Sequence, residues 1–217
     1  MEHIRELLAT GQLCSNDRVN EVEIAGNLGI SRGPVREAIQ RLSSSGLLVA
    51  EPNMGSRVVT LDEGAAQALY EVRESLEALS AGLAAQRMTL AEKRGLIEML
   101  DAHEAAMAEH GSNAYPAGSS DWDFHLTVLK GSRNEVAWRI CGNDLRDLLA
   151  LLRARHGKSK GRGKRALQEH RWVAEAILHG QGDLASTLMA QHIRTSRDNL
   201  LALMRTTEPA AGNMGIG

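Results

Sequence analysis

Aromatic side chains are almost missing from this 217-residue chain, where three Trp, two Tyr and one Phe make up 3%. A core so poor in rings must be filled by Leu, Ala, Ile, Val and Met, a composition that favours helices packed on helices. Cysteine is scarce too. Cys14 and Cys141 stand far apart with no Cys-x-x-Cys pair, which excludes a thiolate zinc framework. Two reduced, partly buried thiols of a cytoplasmic protein are expected instead. No apolar run approaches the roughly 20 residues that span a bilayer. The opening MEHIRELLATGQL carries two Glu and no apolar stretch of a secretory signal, so a soluble chain without membrane contact is expected. Excess charge is also lacking, since 25 Lys and Arg face 27 Asp and Glu. With 43% hydrophobic residues, the chain reads as globular, not disordered.

What is present comes in a definite order. A short helix is expected over residues 2–10, stopped by Gly11. A second spans 21–27, with Val22, Ala25 and Leu28 on one face, and ends at Gly29. Ser31 is placed to cap a third helix over 32–45, with Pro34 in its first turn, where a missing N–H costs little. Val35, Ala38, Ile39 and Leu42 repeat on its inner side at helical spacing. The period then changes. LLVAE and SRVVT are β-prone runs separated by Pro52, Asn53, Met54 and Gly55, a hairpin pattern.

Beyond Leu61 no strand signal remains. Helices are expected over 62–87, 89–110, 119–130, 134–156, 165–179 and 183–205. The segments GSNAYPAGSS and GKSKGRGK form loops, Gly180-Gln181-Gly182 forms a break, and a disordered tail follows. The basic segment 157–165 reads as a solvated connection, with non-specific phosphate contact as the second reading. In the first of these helices Leu69, Val72, Leu76, Leu79 and Leu83 form the expected core stripe. The fold class is mainly α, a winged helix-turn-helix followed by a six-helix bundle. The expected units are 1–60, 61–205 and a tail over 206–217.

A tight Gly-containing turn between two helices is what a helix-turn-helix requires, and its second helix enters the major groove. Arg32, Arg36, Gln40 and Ser43 share the outer flank of that helix. Arg binds guanine O6 and N7 bidentately and Gln does the same to adenine. Gly55 and Arg57 lie at the hairpin, within reach of phosphates or the minor groove. Net charge gives no hint of this, because residues 1–60 hold six Arg and no Lys against seven acids. Only locally, over residues 30–60, do four Arg outnumber two Glu.

The run VNEVEIAGNLGISRGPVREAIQRLSSSGLLVAEPNMGSRV resembles the winged-helix signature of the GntR family of bacterial regulators. The matching positions are Glu21, Ala25, Leu28, Gly29, Ser31, Arg32, Pro34, Arg36, Glu37, Ala38, Leu42, Gly46, Gly55 and Val58. The resemblance implies Arg32 and Arg36 as main readers, with Ser31, Gly33, Gln40, Gly55 and Arg57 completing the DNA-facing set. Two positions depart from the pattern. Gly33 stands where a Thr-like donor is common, and Ser15-Asn16 replaces the usual Pro-Gly.

Three of the eight histidines sit on apolar stripes. His125 lies with Trp122, Leu126 and Leu129, and Asp121 comes one turn earlier. His170 lies with Leu167, Ala174 and Ile177, and His192 with Met189, Ile193 and Ser196. All three rings are expected to face the bundle interior, where imidazole and carboxylate suit zinc, nickel, iron or manganese. Spacing alone leaves a metal site and hydrogen-bonded core histidines equally open. His3, His103, His110, His156 and His179 read as surface residues. YEVRESLEALSAGLAA, DWDFH and EHRWVAEAILHGQGDLASTLMAQHI resemble the FCD effector domain of the FadR branch, in its six-helix, VanR-like variety. This resemblance implies Asp121, His125, His170 and His192 as ligands of a divalent metal, zinc foremost. It also implies a small organic acid as effector, completing the metal's shell, and a homodimer bound to a palindromic DNA operator, as a rule a repressor. Arg73, Arg139, Arg146 and Asn143 are candidates for contact with the acid, and salt bridges are the other reading of the arginines. Two further readings stand beside an effector-responsive regulator. One is a metal sensor in which the ion is the signal. The other is a metal-dependent enzyme, against which stands the lack of a placed general base or a His-Glu-x-x-His run.

Overall fold

In the computed structural model, residues 2–9, 12–51, 55–109, 120–156 and 162–207 are described. The tail from 208, the loop 110–119 and Pro52, Asn53 and Met54 of the hairpin lie outside them.

The N-terminal part runs α1 (Glu2–Ala9), β1 (Arg18–Val19), α2 (Glu21–Leu28), α3 (Arg32–Ser44), β2 (Leu48–Glu51) and β3 (Gly55–Val58). Asn20 caps α2, its side chain accepting from Val22 N and Glu23 N, and Gly29 ends it at φ 62°. The expected inner face of α2 is wrong. Ile24 and Ala25 are buried, while Val22 and Leu28 are exposed. A strict i, i+3 series drifts about 60° per step around a helix, which carries Val22 off the face that Ala25 occupies. On α3 the expected four, Val35, Ala38, Ile39 and Leu42, are all buried. Ser31 stands at the N-cap position, but its hydroxyl makes no cap hydrogen bond.

The sheet has the order β1-β3-β2, all antiparallel, with Arg18 opposite Arg57 and Val49 opposite Arg57 on the other side. The two-residue β1 is too short to leave a period in the sequence. It is set by the turn before it, where Asn16 takes φ 71° and its N–H bonds the Val58 carbonyl. Asn tolerates this left-handed conformation better than most residues, so the turn forms here without a Gly.

The second part is helical: α4 (Glu63–Arg87), α5 (Leu90–Glu109), α6 (Ser120–Gly131), α7 (Glu135–Ala137), a π-helical segment (Trp138–Asp144), α8 (Leu145–His156), α9 (Arg162–Leu178) and α10 (Gly182–Thr207). With the interrupted helix counted once, six helices follow the wing among the described residues. Two of these helices differ from expectation. The helix expected from 165 begins at Arg162, taking in part of the basic loop, and the long helix 134–156 is π-wound in its middle. Thr89 opens α5 with a capping box, its N–H on Glu92 Oε2 and the Glu92 N–H on its hydroxyl.

Helix α4 turns an unexpected face to the core. Ala66, Tyr70, Arg73, Glu77, Ser80, Ala81 and Ala84 are buried, whereas Leu69, Leu76 and Leu83 are half-buried and Val72 and Leu79 remain 45% and 46% exposed. Both faces have helical spacing, so periodicity could not choose between them. Small residues decide part of it, because α10 packs along α4 closely enough that a Cβ on Gly182 would stand 3.1 Å from the Gly82 carbonyl. The ion pairs of Arg73 and Glu77 decide the rest.

Buried apolar side chains form one cluster from Ile4 to Met204. Helix α1 packs on α8, where Arg5 Nε and Nη2 donate to Asp147 Oδ1 and Oδ2 at 2.8 and 3.0 Å. The Asp147 side chain is 4% exposed and that of Arg5 22%. Removing the arginine strands a buried carboxylate, whereas removing the acid lets Arg5 turn to water. Arg5→Ala is therefore expected to destabilise more than Asp147→Asn, by about 1–3 kcal/mol in urea unfolding. Equal losses would show that the pair is solvated.

Candidate metal centre and nucleic-acid interface

His125 on α6, His170 on α9 and His192 on α10 are buried and offer ring nitrogens that all lie within 4.8 Å of one another. His170 Nε2 and His192 Nε2 are 3.1 Å apart. Two imidazole nitrogens at about 2.0–2.1 Å from one ion lie roughly 3.0–3.4 Å from each other, so the pair has ligand spacing. Their rings are fixed by packing: His170 stacks on Phe124 at 4.2 Å and His125 on His192 at 5.2 Å between centroids. His125 Nε2 is a buried nitrogen with no hydrogen-bond partner among the described residues. An orphaned buried imidazole nitrogen beside two others is costly unless something binds it, and this donor set fits a divalent metal. Asp121 lies in the first turn of α6, one turn before His125, and its side chain is outside the described residues.

Two carboxylates that the sequence reading passed over complete the surroundings. Glu77 Oε2 stands 2.5 Å from His125 Nδ1 and its Oε1 accepts from Arg73 Nε at 2.5 Å. Glu169 Oε2 stands 2.7 Å from His192 Nδ1 and its Oε1 accepts from Arg165 Nε at 3.0 Å. Burial alone would raise the Glu77 carboxyl, but the positive charge of Arg73 and the hydrogen bonds from Arg73 and His125 outweigh it and hold it at about 2. The signal available in sequence was the Arg-x-x-x-Glu spacing at 73/77 and 165/169, which puts each pair on one helix face.

Of the candidates for anion contact, Arg73 is fully buried beside this cluster, its guanidinium 5.4 Å from the Tyr70 ring centre and 5.2 Å from that of Trp122. Arg139 and Asn143 are exposed on the π segment and Arg146 is half-buried; none makes a hydrogen bond or ion pair with the histidines among the described residues. The π winding turns Cys141 and Gly142 inward instead. Cys141 is buried, and desolvation together with the negative charge of Glu77 pushes its thiol up to about 12, which keeps it from acting as a thiolate ligand. Cys14 is exposed, not partly buried as expected. His179 is exposed as read, while His3 and His103 are half-buried. The side chains of His110 and His156 lie outside the described residues.

Ser31, Arg32, Gly33, Arg36 and Gln40 are exposed together on the outer flank of α3. Arg32 and Arg36 each place Nη2 3.3 Å from the same oxygen, Glu21 Oε2 at the start of α2. These bonds, that of Arg36 foremost, lower the Glu21 carboxyl from its ordinary range. A Cβ on Gly33 would meet nothing within 4 Å, so no steric need excludes a side chain there. Gly55 is exposed at φ 86°. Arg57 is tied to its own wing. Its Nε bonds Glu51 Oε2 at 2.9 Å and its Nη1 the Asn16 carbonyl at 2.8 Å, so it braces the base of the wing.

Comparison with known proteins agrees with both halves. Residues 1–58 match the family described as "Bacterial regulatory proteins, gntR family", and residues 68–195 match the FCD domain. A protein of Paenarthrobacter nicotinovorans named "Probable D-xylose utilization operon transcriptional repressor" is 30% identical over 191 residues, covering 86% of this chain and 80% of that one. The "Nta operon transcriptional regulator" of Aminobacter aminovorans is 27% identical over 192 residues, 87% of each chain. The solved structure of E. coli McbR/YncC shares the fold at a TM-score of 0.74 and 17% identity, covering 95% of this chain and 96% of that one. No helix among the described residues is long and apolar enough to cross a membrane. These relatives are regulators, not enzymes, and this chain belongs to the GntR family with an FCD domain: it is a DNA-binding transcription regulator.

Proposed function

We propose that this regulator's affinity for its operator is set by a small organic acid bound at a metal-containing pocket inside the helical domain. The observation that carries the reading is the cluster of His125, His170 and His192 with an orphaned Nε2 aimed among buried nitrogens. These three, with Asp121, would hold a divalent ion, zinc foremost and nickel, iron or manganese by the same donor chemistry. Held there, the ion supplies a Lewis-acidic position for one carboxylate oxygen. Arg73, buried beside it, is the cation suited to the other oxygen. Arg139, Asn143 and Arg146 drop out of the proposed pocket.

The chain acts as a homodimer on a palindromic operator, with the half-exposed stripe of Leu69, Val72, Leu76, Leu79 and Leu83 as the apolar face for the second copy. Two α3 helices then enter major grooves about one helical turn apart. Ser31, Arg32, Gly33, Arg36, Gln40 and Gly55 form the surface presented to DNA, and Arg57 supports it from behind. The name of the Paenarthrobacter relative favours repression.

A thermal-shift panel of sugar acids and other carboxylates, run on metal-loaded and chelator-stripped protein, tests this. A true effector raises the melting temperature only of loaded protein and changes operator affinity by about 5–150-fold. If stripping the metal changes operator affinity and no acid does, the ion itself is the signal. Protein that carries no metal, with acid binding unaltered in His125→Ala, overturns the pocket.

A further inference from the structure

Two Arg–Glu–His relays converge on the histidine cluster, and they are built alike. In each, arginine and glutamate are four residues apart on one helix, so their side chains meet along it: Arg73 with Glu77 on α4, Arg165 with Glu169 on α9. In each, one carboxylate oxygen takes the arginine Nε and the other faces the Nδ1 of a histidine on a different helix. Glu77 is buried with Arg73, while Glu169 sits at the edge of the core with an exposed Arg165. The first relay therefore spans α4 and α6, the second α9 and α10.

We propose that Glu77 and Glu169 are positioning residues, which hold His125 and His192 as Nδ1–H tautomers and turn both Nε2 lone pairs into the cluster. This rests on the metal-pocket reading for its purpose, but not for its geometry. An ionised carboxylate only accepts, so the ring nitrogen facing it must carry the proton. A neutral imidazole has a single N–H, which leaves Nε2 as the acceptor or ligand atom. The 3.1 Å approach of His170 Nε2 to His192 Nε2 and the orphaned Nε2 of His125 are both on that inner side. Each arginine takes the other carboxylate oxygen through its Nε and stops the carboxylate from rotating away. Such outer partners fix ring orientation and raise ligand basicity.

The test uses the full chain, with Glu77→Gln, Glu169→Gln and His125→Ala beside wild type. Long-range nitrogen-15 NMR on chelator-stripped protein reads the tautomers. Wild type is expected to show Nδ1–H at His125 and His192, and each Gln variant to lose that preference at its own histidine alone. Zinc affinity, measured by competition with a chromophoric chelator, is expected to fall about 10–100-fold in each Gln variant and to vanish in His125→Ala. Because Glu77→Gln also weakens the partner of buried Arg73, Glu169→Gln at the core edge gives an independent reading. A purely structural role would lower the melting temperature and leave tautomers and zinc affinity at wild-type values, which overturns the proposal. Wild type that binds no zinc, yet shows both Nδ1–H tautomers and their loss in the Gln variants, overturns the metal pocket and upholds the positioning.

Discussion

Arg36→Ala is expected to abolish specific operator binding while leaving the protein folded. Arg36 is 60% exposed on the outer flank of α3, and its recorded partner is the Glu21 carboxylate that it shares with Arg32. That shared acid lies at the start of α2, so it gathers the two guanidiniums, one helical turn apart, over one stretch of groove. A bidentate arginine–guanine contact is worth about 1–3 kcal/mol of discrimination. Lost from both half-sites of a palindrome, it removes about 2–6 kcal/mol, roughly 30-fold or more in affinity. An exposed surface pair carries little stability, so unfolding should move by no more than about 0.5 kcal/mol. Mobility shifts on DNA selected with the wild-type protein, against scrambled DNA of equal length, read the effect. Unchanged preference for the selected sequence would move the reading function to Gln40 or the wing.

Removal of a metal from the proposed site is the second large expected effect. An ion present at about 1,000 times its dissociation constant stabilises the folded chain by about 4 kcal/mol. At roughly 2–4 °C per kcal/mol for a chain of this size, a chelator should lower the melting temperature by about 8–16 °C. His192→Ala should melt at one temperature with or without chelator, since it takes away one of the three buried histidines of the proposed site. Calorimetry with elemental analysis of the same sample reads both. Identical melting of wild type in chelator and in zinc would count against the site.

The winged helix was legible because its elements are short, ordered and punctuated. Gly29, Ser31 with Pro34, and Gly46 fall at element ends, and the inner face of α3 was read without error. Element type was also legible in the bundle, and so was the inward turn of the three histidines. The face of α4 was not. Leucines on one stripe and a polar, small-residue stripe beside it have the same period, and hydrophobicity chose the wrong one. The inner stripe wins because Glu77 bridges Arg73 and His125 there, a condition that depends on a residue 48 positions away. For the same reason Glu77 and Glu169 escaped notice as parts of the site. The bonds of Arg57 to Glu51 and the Asn16 carbonyl were likewise not legible, because they join residues 6 and 41 positions apart.

The π-wound stretch from Trp138 to Asp144 bears on how relatives should be aligned with this chain. Each i→i+5 turn holds one residue more than an α turn, so an α-wound helix between the same neighbours needs one residue fewer than this segment holds. A relative shorter by one residue here can run as ordinary α-helix between the same neighbours. Its alignment gap belongs inside 138–144, next to Gly142, whose missing Cβ would stand 2.8 Å from the Trp138 ring. A gap set instead at the loops on either side would shift Asp147 by one position and separate it from its counterpart opposite Arg5.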